Sequence, residues 1–477
     1  MQITPNQIAQ FSGARMIVGP HDPESIITNL TWDSRIVLPD ALFLALPGER
    51  TDGNDHIEAA IEAGAAVVLA SRETTAAQQQ AARDHGAALL EVDEGTGGEA
   101  LLALAAGYRD SLTATVIGIT GSSGKTTTKD MVAGVLASGM VTCATYGNYN
   151  NEIGVPATVL DADPSTKALV VEMGMQALDE IALLCRIARP SIGIITNVGV
   201  AHCELLGSRE NIARAKAELV ENLPDGTGIA ILNGDDPYTS FICQLSRASE
   251  RGVRTLFYGL SAHNDIRAAS IEYDSEGRPS FDLWLPDGLS RRAKLALQGE
   301  HNIYNALAAA ACGHVCGIAA DSIIKALGSA RPAAMRQEMV KLSSGAIIIN
   351  DTYNANPDSM RAGLALLTHI GLSHRHIAVL GDMFELGDEE ERFHREVGAF
   401  AHISRIDLLV TVGDLARHIA QGARDVGMQA ERIIECSDVT AALEALKPLL
   451  VQRPVILVKA SRGMRLEQIV EGIAQEC

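Results

Sequence analysis

Aromatic side chains are scarce in this 477-residue chain, 4% against a hydrophobic fraction of 47%. The core must therefore be built from small aliphatic residues, and the alanine-dense helical stretches suit helices packed closely on sheets. No apolar run approaches the roughly 18 residues that would span a bilayer, so no membrane span is expected. Residues 1–16 carry no apolar segment of the signal-peptide kind. Positive charge is also short: 39 Lys and Arg against 59 Asp and Glu leave a net charge of −20. That balance argues against nucleic acid or an anionic membrane as partner, since both need clustered basic residues. It does not exclude small anionic substrates, which a lysine, an arginine, a helix N-terminus or Mg²⁺ can meet locally. The eight cysteines are scattered and lie mostly among apolar neighbours. They point to a reducing cytoplasm rather than to a disulfide framework. Solenoid repeats and low-complexity linkers are absent as well.

A chain this long exceeds what one hydrophobic core usually serves, and the pattern divides into three domains, 1–112, 113–329 and 330–477. In the first, apolar strands are expected at 43–46, 66–70 and 88–92, with helices over 56–63 and 98–109. The second opens with a strand over 114–120, repeats strand–helix units, and closes with helices over 302–316 and 321–327. Arg331-Pro332 reads as a hinge. The third places strands at 346–350, 377–380, 408–412 and 455–459, each followed by helical periodicity. Repeated βα units imply mainly parallel sheets in the second and third domains. The fold class expected is α/β: a central P-loop ATPase-like parallel sheet, a Rossmann-like C-terminal domain, and a smaller α/β N-terminal domain.

The most specific local signal is Gly118-Ile119-Thr120-Gly121-Ser122-Ser123-Gly124-Lys125-Thr126-Thr127. An apolar strand runs into a glycine-rich turn, and a helix begins near Lys125. Gly121, Ser122, Ser123 and Gly124 let the backbone wrap a phosphate, while Lys125 and the N–H groups of Thr126 and Thr127 meet its charge. The Thr126 hydroxyl is a candidate Mg²⁺ ligand. The general spacing asks for glycine at 119, where this chain has isoleucine, so the loop is a variant. An ordinary Gly/Ser turn is the plainer reading, and a kinase or GTPase fits the loop alone. No Asn-Lys-x-Asp element for reading guanine accompanies it.

Glu172 follows the apolar stretch 168–171 and His202 lies just past 192–196. Ligands of open α/β sheets gather at the carboxyl ends of strands, which puts both on the rim of Lys125. Alone, Glu172 reads as a helix-start charge and His202 as a loop residue; together they can hold Mg²⁺. Ser208 can cap a helix through Val220 whose inward stripe is Ile212, Ala215, Lys216, Leu219 and Val220. Lys216 thus sits on an apolar face, where a lysine ordinarily packs its stem and reaches for water with its head.

The variant loop resembles that of the Mur ligases, and the likeness extends over nearly the whole chain. Asn148-Tyr149-Asn150-Asn151-Glu152-Ile153-Gly154, Asn197-Val198-Gly199-Val200-Ala201-His202 and Gly299-Glu300-His301-Asn302-Ile303-Tyr304-Asn305-Ala306 are similar to that family's central domain. Residues 350–360 (NDTYNANPDSM) and 381–387 (GDMFELG) most resemble the branch that adds D-alanyl-D-alanine. The resemblance implies an ATP- and Mg²⁺-dependent ligase that activates a carboxylate as an acyl phosphate, with UDP-N-acetylmuramoyl-tripeptide and D-alanyl-D-alanine as substrates. It assigns Thr126, Glu172, His202 and Lys216 to metal, Lys216 as a carbamate, and counts Lys125 with the last three as catalytic. It places His301 and Asn302 near adenosine, Arg336 on phosphate and Asp351 on ribose. Asn354, Asn356 and Asp358 are expected at the dipeptide, where their turn and the helix start at Pro357 offer donors to a carboxylate. Ser34 and Arg35, within Thr31-Trp32-Asp33-Ser34-Arg35, are expected at the uridine nucleotide. A monomer is expected.

Three alternatives stand beside this reading. The diamino-acid-adding Mur ligase should carry Asp-Asn-Pro-Arg in its third domain, and this chain does not. Folylpolyglutamate synthase should lack the first domain. A non-catalytic nucleotide switch has no evident need for the Glu172, His202 and Lys216 set. Cys312 and Cys316, one helical turn apart, read as core packing rather than a metal site.

Overall fold

The computed structural model describes residues 1–48, 51–200, 203–371 and 374–476. Three sheets organise them. The first has strand order Arg15–Val18, Ala88–Glu91, Ala65–Ala70, Ala41–Ala45, Asn29–Thr31, parallel except for the antiparallel Arg15–Val18 edge. Its middle strands Ala41–Ala45 and Ala65–Ala70 are uniformly apolar because helices cover them; Ala41–Ala45 is buried at every position. The helix expected over 56–63 begins as a 3₁₀ turn, Gly53–His56, capped by the Asp52 carboxylate, and continues as Ile57–Glu62.

The central sheet has nine strands. From Thr142–Ala144 through Ala168–Glu172, Thr115–Thr120, Ile192–Ile195, Ile229–Asn233 and Arg254–Gly259 to Ile266–Tyr273, neighbouring strands run parallel. Two antiparallel strands, Pro279–Trp284 and Ser290–Lys294, extend the far edge, an addition to the parallel sheet anticipated from the βα pattern. Pro279–Trp284 alternates buried and half-buried residues, as expected of a strand with one dry face. Strand Thr115–Thr120 lies between Ala168–Glu172 and Ile192–Ile195, with the chain crossing first to one side and then to the other. That is a topological switch point, where the strand ends open a crevice for ligands.

The third sheet runs Glu338–Lys341, Ile347–Asp351, Val455–Lys459, His376–Gly381, Leu408–Val412, Ile433–Cys436, with only the first strand antiparallel. The first and central domains share a hydrophobic core: helix Gly97–Ser111 contributes Leu101, Leu104 and Tyr108 to the cluster holding Val159, Leu184 and Leu219. The Tyr108 hydroxyl donates to the Ala162 carbonyl at 2.8 Å within it. The third domain keeps its own two cores, and Val200 alone reaches one of them from the central domain among the described residues. The central domain thus meets the first across a dry joint and the third across a polar cleft. Among the described residues no helix is long and apolar enough to cross a membrane.

Candidate active site

Strand Thr115–Thr120 passes directly into the glycine turn, and helix Lys125–Ala137 starts behind it. Gly121 has φ +152° and Gly124 φ +79°. A Cβ at Gly121 would stand 1.8 Å from Thr196 Oγ1 and one at Gly124 2.6 Å from Asn305 Oδ1, so only glycine fits either place. Asn197 pins the turn: its carbonyl accepts from Ser122 N–H at 3.1 Å and its Oδ1 from Ser123 N–H at 3.0 Å. Gly124 is the N-cap and supplies no side chain to the helix start. The first N–H groups of the helix therefore face the cavity, ready for an anion. Lys125 donates to the Gly121 carbonyl at 2.8 Å. Burial lowers its pKa, opposed by the charge of Glu172 and assisted by Arg336.

Glu172 ends strand Ala168–Glu172 and is 1% exposed. Its Oε1 accepts from Asn150 Nδ2 at 2.8 Å and its N–H donates to Thr145 Oγ1 at 3.0 Å. Oε2 is buried and has no hydrogen-bond partner. Lys216 lies on helix Arg209–Glu221, capped by Ser208, and is 1% exposed. No described acidic group pairs with it; burial holds its pKa well below the ordinary lysine value, the nearby Lys125 adds to this, and Asp236 opposes it. The inward stripe anticipated for this helix is buried throughout, and Ala213, Ala217 and Glu218 are buried with it.

A cavity of about 960 Å³ opens between the central and third domains. Ser122, Lys125, Thr126 and Glu172 line it from the central side, Arg336 and Asp351 from the other. Helix His301–Val315 brings His301 and Asn302 to its edge. Asn302 donates to the Gln298 carbonyl at 2.7 Å and accepts from Asn305 Nδ2 at 2.9 Å. His301 Nε2 meets Gln337 Oε1 at 2.8 Å, and burial lowers the imidazole pKa. Across the cleft, the Arg336 guanidinium stacks 4.0 Å above the Tyr353 ring, and Asp351 pairs with Lys459 at 2.7 Å.

Residues 26–109, 119–313 and 335–462 match, in turn, the descriptions Mur ligase family, catalytic domain; Mur ligase middle domain; and Mur ligase, glutamate ligase domain. The chain is 39% identical over 461 residues to the UDP-N-acetylmuramoyl-tripeptide--D-alanyl-D-alanine ligase of Bacillus subtilis (strain 168), covering 96% of each chain. It belongs to the Mur ligase family. Among solved structures it superposes on MurF from Acinetobacter baumannii with a TM-score of 0.86 at 29% identity, covering 100% of this chain and 99% of that one. It also superposes on MurF ligase from Thermotoga maritima in complex with ADP, with a TM-score of 0.79 at 28% identity, covering 94% and 98%.

In this Mur ligase the residues singled out in the sequence do not all come together. Gly121 belongs to the turn beneath the cavity, and Ser122, Ser123, Gly124, Lys125, Thr126 and Thr127 line it. Lys216 is buried behind them, close enough for Lys125 to depress its pKa. His202 lies outside the described residues. Asn354, Asn356 and Asp358 line the third-domain wall, but their bonding differs from expectation. Asn356 caps helix Pro357–His369 in a reciprocal pair: its Oδ1 accepts from Ser359 N–H at 2.8 Å, and Ser359 Oγ accepts from Asn356 N–H at 3.0 Å. Asn354 Oδ1 accepts from Ala355 N–H at 2.8 Å. The side chains thus satisfy two of the backbone donors of the turn, those of Ala355 and Ser359. Ser34 and Arg35 lie away from this cavity; the Arg35 side chain is 85% exposed and paired with Asp33 at 2.6 Å.

Two groups of the site were not anticipated. Asn150 was one letter of an asparagine-rich stretch, and only the fold shows that it holds Glu172. Lys459 ends an apolar strand and is 2% exposed, paired with Asp351 and donating to the Asn354 carbonyl at 2.9 Å. A lysine closing an otherwise apolar buried strand was its available signal.

Proposed function

We propose that this Mur ligase joins D-alanyl-D-alanine to UDP-N-acetylmuramoyl-tripeptide, with ATP converted to ADP and phosphate, in the assembly of peptidoglycan precursor. The observation that carries the reading is identity of 39% across 96% of the chain to a relative bearing that activity in its name. The terminal carboxylate of the tripeptide attacks the γ-phosphorus of ATP and ADP leaves, giving an acyl phosphate. The dipeptide amine, having lost a proton, attacks the acyl carbon, and inorganic phosphate departs with the electrons of the C–O bond.

The obstacle is repulsion between a carboxylate and a triphosphate. Lys125 and the uncapped N–H groups of helix Lys125–Ala137 offset it where charge accumulates in transfer. Thr126, Glu172 and Lys216 would hold Mg²⁺, with His202 added by resemblance. The unpartnered Glu172 Oε2 fits a cation, although the described residues contain no cluster of three His, Cys, Asp or Glu. Mg²⁺, when bound, supplies charge neutralisation at the phosphates. An ammonium at Lys216 would repel it. Burial lowers the Lys216 pKa and so favours the neutral amine, which would add dissolved CO₂, release a proton and become an anionic carbamate. Arg336 and Asp351 would contact phosphate and ribose from the far wall, completing the site when the third domain closes.

The test is amine-dependent phosphate release with the matching nucleotide-peptide acceptor for each amine. D-Alanyl-D-alanine should support turnover far better than D-alanine, lysine or diaminopimelate. A diamino acid acting best on the dipeptide nucleotide would keep the family and overturn the branch. The six described cysteines are all unpaired, which suits work in a reducing cytoplasm, and a monomer is the state we expect.

A further inference from the structure

Lys129 lies one turn beyond Lys125 on the phosphate-loop helix, yet it is 2% exposed and does not line the cavity. Burying an ammonium is costly unless its hydrogens find acceptors. Lys129 Nζ donates to the Thr145 carbonyl at 2.8 Å and the Gly147 carbonyl at 2.9 Å, and pairs with the Asp130 carboxylate at 2.9 Å. Three donors meet three acceptors.

Those two carbonyls belong to the segment joining strand Thr142–Ala144 to helix Gly154–Asp161. The same segment grips Glu172 from two sides. Thr145 Oγ1 accepts from the Glu172 N–H at 3.0 Å, and Asn150 Nδ2 donates to Glu172 Oε1 at 2.8 Å. The Asn150 carbonyl also accepts from Gly174 N–H at 2.8 Å. A Cβ on Gly174 would come within 2.7 Å of Asn150 Oδ1, so glycine is what lets the asparagine lie so close. With Oε1 held in this way, the unpartnered Oε2 has one direction to face.

We infer that Lys129 is a positioning residue for Glu172: it ties the phosphate-loop helix to the 145–150 segment and thereby fixes the free carboxylate oxygen relative to the helix start. One rigid body then carries both the donors for phosphate and the oxygen for the cation. The inference rests on the reading above that Glu172 serves a divalent cation. A merely structural role would make Lys129 a stabiliser of the fold with no bearing on cation affinity.

Mn²⁺, which takes the same oxygen ligands as Mg²⁺, can be followed by water-proton relaxation with the purified chain and ADP. In Lys129→Met the apparent Mn²⁺ dissociation constant should rise about tenfold, the scale of disturbed outer contacts at metal sites. ADP affinity without metal should change less than about twofold. Asn150→Ala should show the same loss without disturbing a buried charge, and combining it with Lys129→Met should add little. A folded Lys129→Met protein with wild-type Mn²⁺ affinity overturns the inference. Should that variant fail to fold, unchanged affinity in Asn150→Ala overturns it equally. If the wild-type chain itself binds no Mn²⁺ with ADP, the reading of Glu172 fails instead.

Discussion

The two walls of the cleft are built from the same unit, a parallel strand, a turn and a helix, yet they use their polar groups in opposite ways. On the central wall bonding capacity is left over: helix Lys125–Ala137 has no side-chain cap, Glu172 Oε2 has no partner, and Lys216 is buried with no ion pair among the described residues, Asp236 acting on it only from a distance. On the third-domain wall it is largely used: Asn356 caps its own helix, Asp351 is paired with Lys459, and Arg336 stacks on Tyr353. Unused donors and acceptors in a buried place cost stability and persist where a ligand supplies the missing partner. Used ones hold a shape. On the proposed reading, the central wall would do the chemistry and the third-domain wall would aim and enclose a substrate. The walls touch where Asn356 Nδ2 donates to Ser123 Oγ at 3.2 Å.

If that division holds, changes on the central wall should abolish turnover without weakening the fold. The largest effect is expected at Lys216. Lys216→Ala should be nearly inactive, with partial recovery in formate, which supplies an anion in place of the proposed carbamate. Lys216→Met, which fills the same space without a buried amine, should be as inactive and should melt no lower than wild type. Calorimetry alongside phosphate release checks both halves. Loss of activity together with a collapsed melting temperature would make Lys216 a structural lysine.

Next is Lys125→Ala, expected to cost roughly 3 kcal/mol or more of transition-state stabilisation, on the order of a hundredfold in turnover or beyond. Its circular dichroism and urea midpoint should stay close to wild type, because Asn197 holds the glycine turn through two bonds when the single bond from the ammonium to the Gly121 carbonyl is lost. Near-normal kcat would remove the phosphate loop from the chemistry.

The opposite pattern is expected at Lys459. Lys459→Met leaves Asp351 buried beside a lost partner, and breaking such a pair costs about 3 kcal/mol. The urea midpoint should fall clearly. The affinity for ADP should weaken with it, because Asp351 and the Asn354 carbonyl lose one shared anchor. Unchanged stability would place the third-domain wall with the central one.

How far the sequence discloses these walls depends on whether the signal is local. The phosphate loop is legible because strand, glycines, lysine and helix are consecutive, and each glycine has a steric reason that the structure makes explicit. The α/β character and the parallel sheets follow from strand–helix alternation. The edge strands Pro279–Trp284 and Ser290–Lys294 escaped it because they follow one another as a hairpin without an intervening helix. Lys216 stood out as a lysine on an apolar stripe, but its nearness to Lys125 comes from the crossing of sheet and helix. Asn150 and Lys459 act through partners 22 and 108 positions away (172 − 150 and 459 − 351), and spacing of that kind leaves no periodicity to read. The bonding of Asn354 and Asn356 was not legible for a related reason. A cluster of asparagines before a proline is equally the signature of a capped helix start and of a ligand-binding turn.

The smallest expected effect tests that last point. In Asn356→Ala, helix Pro357–His369 loses its cap, at a cost of about 1 kcal/mol in stability. The contact to Ser123 goes as well, but it joins two neutral groups at 3.2 Å near the surface of the cleft and should add little. If Asn356 serves chiefly as a cap, KM for D-alanyl-D-alanine should move by less than about threefold, below the ~1 kcal/mol of a typical hydrogen bond. If instead its amide grips the dipeptide, KM should rise about tenfold or more while the melting temperature barely changes, the reverse of the expected order. Asn356→Asp separates the two further, because a carboxylate caps a helix as well as an amide does and cannot donate. Wild-type stability with wild-type KM in Asn356→Asp would keep this wall as scaffold; wild-type stability with a raised KM would give Asn356 a share in recognising the dipeptide.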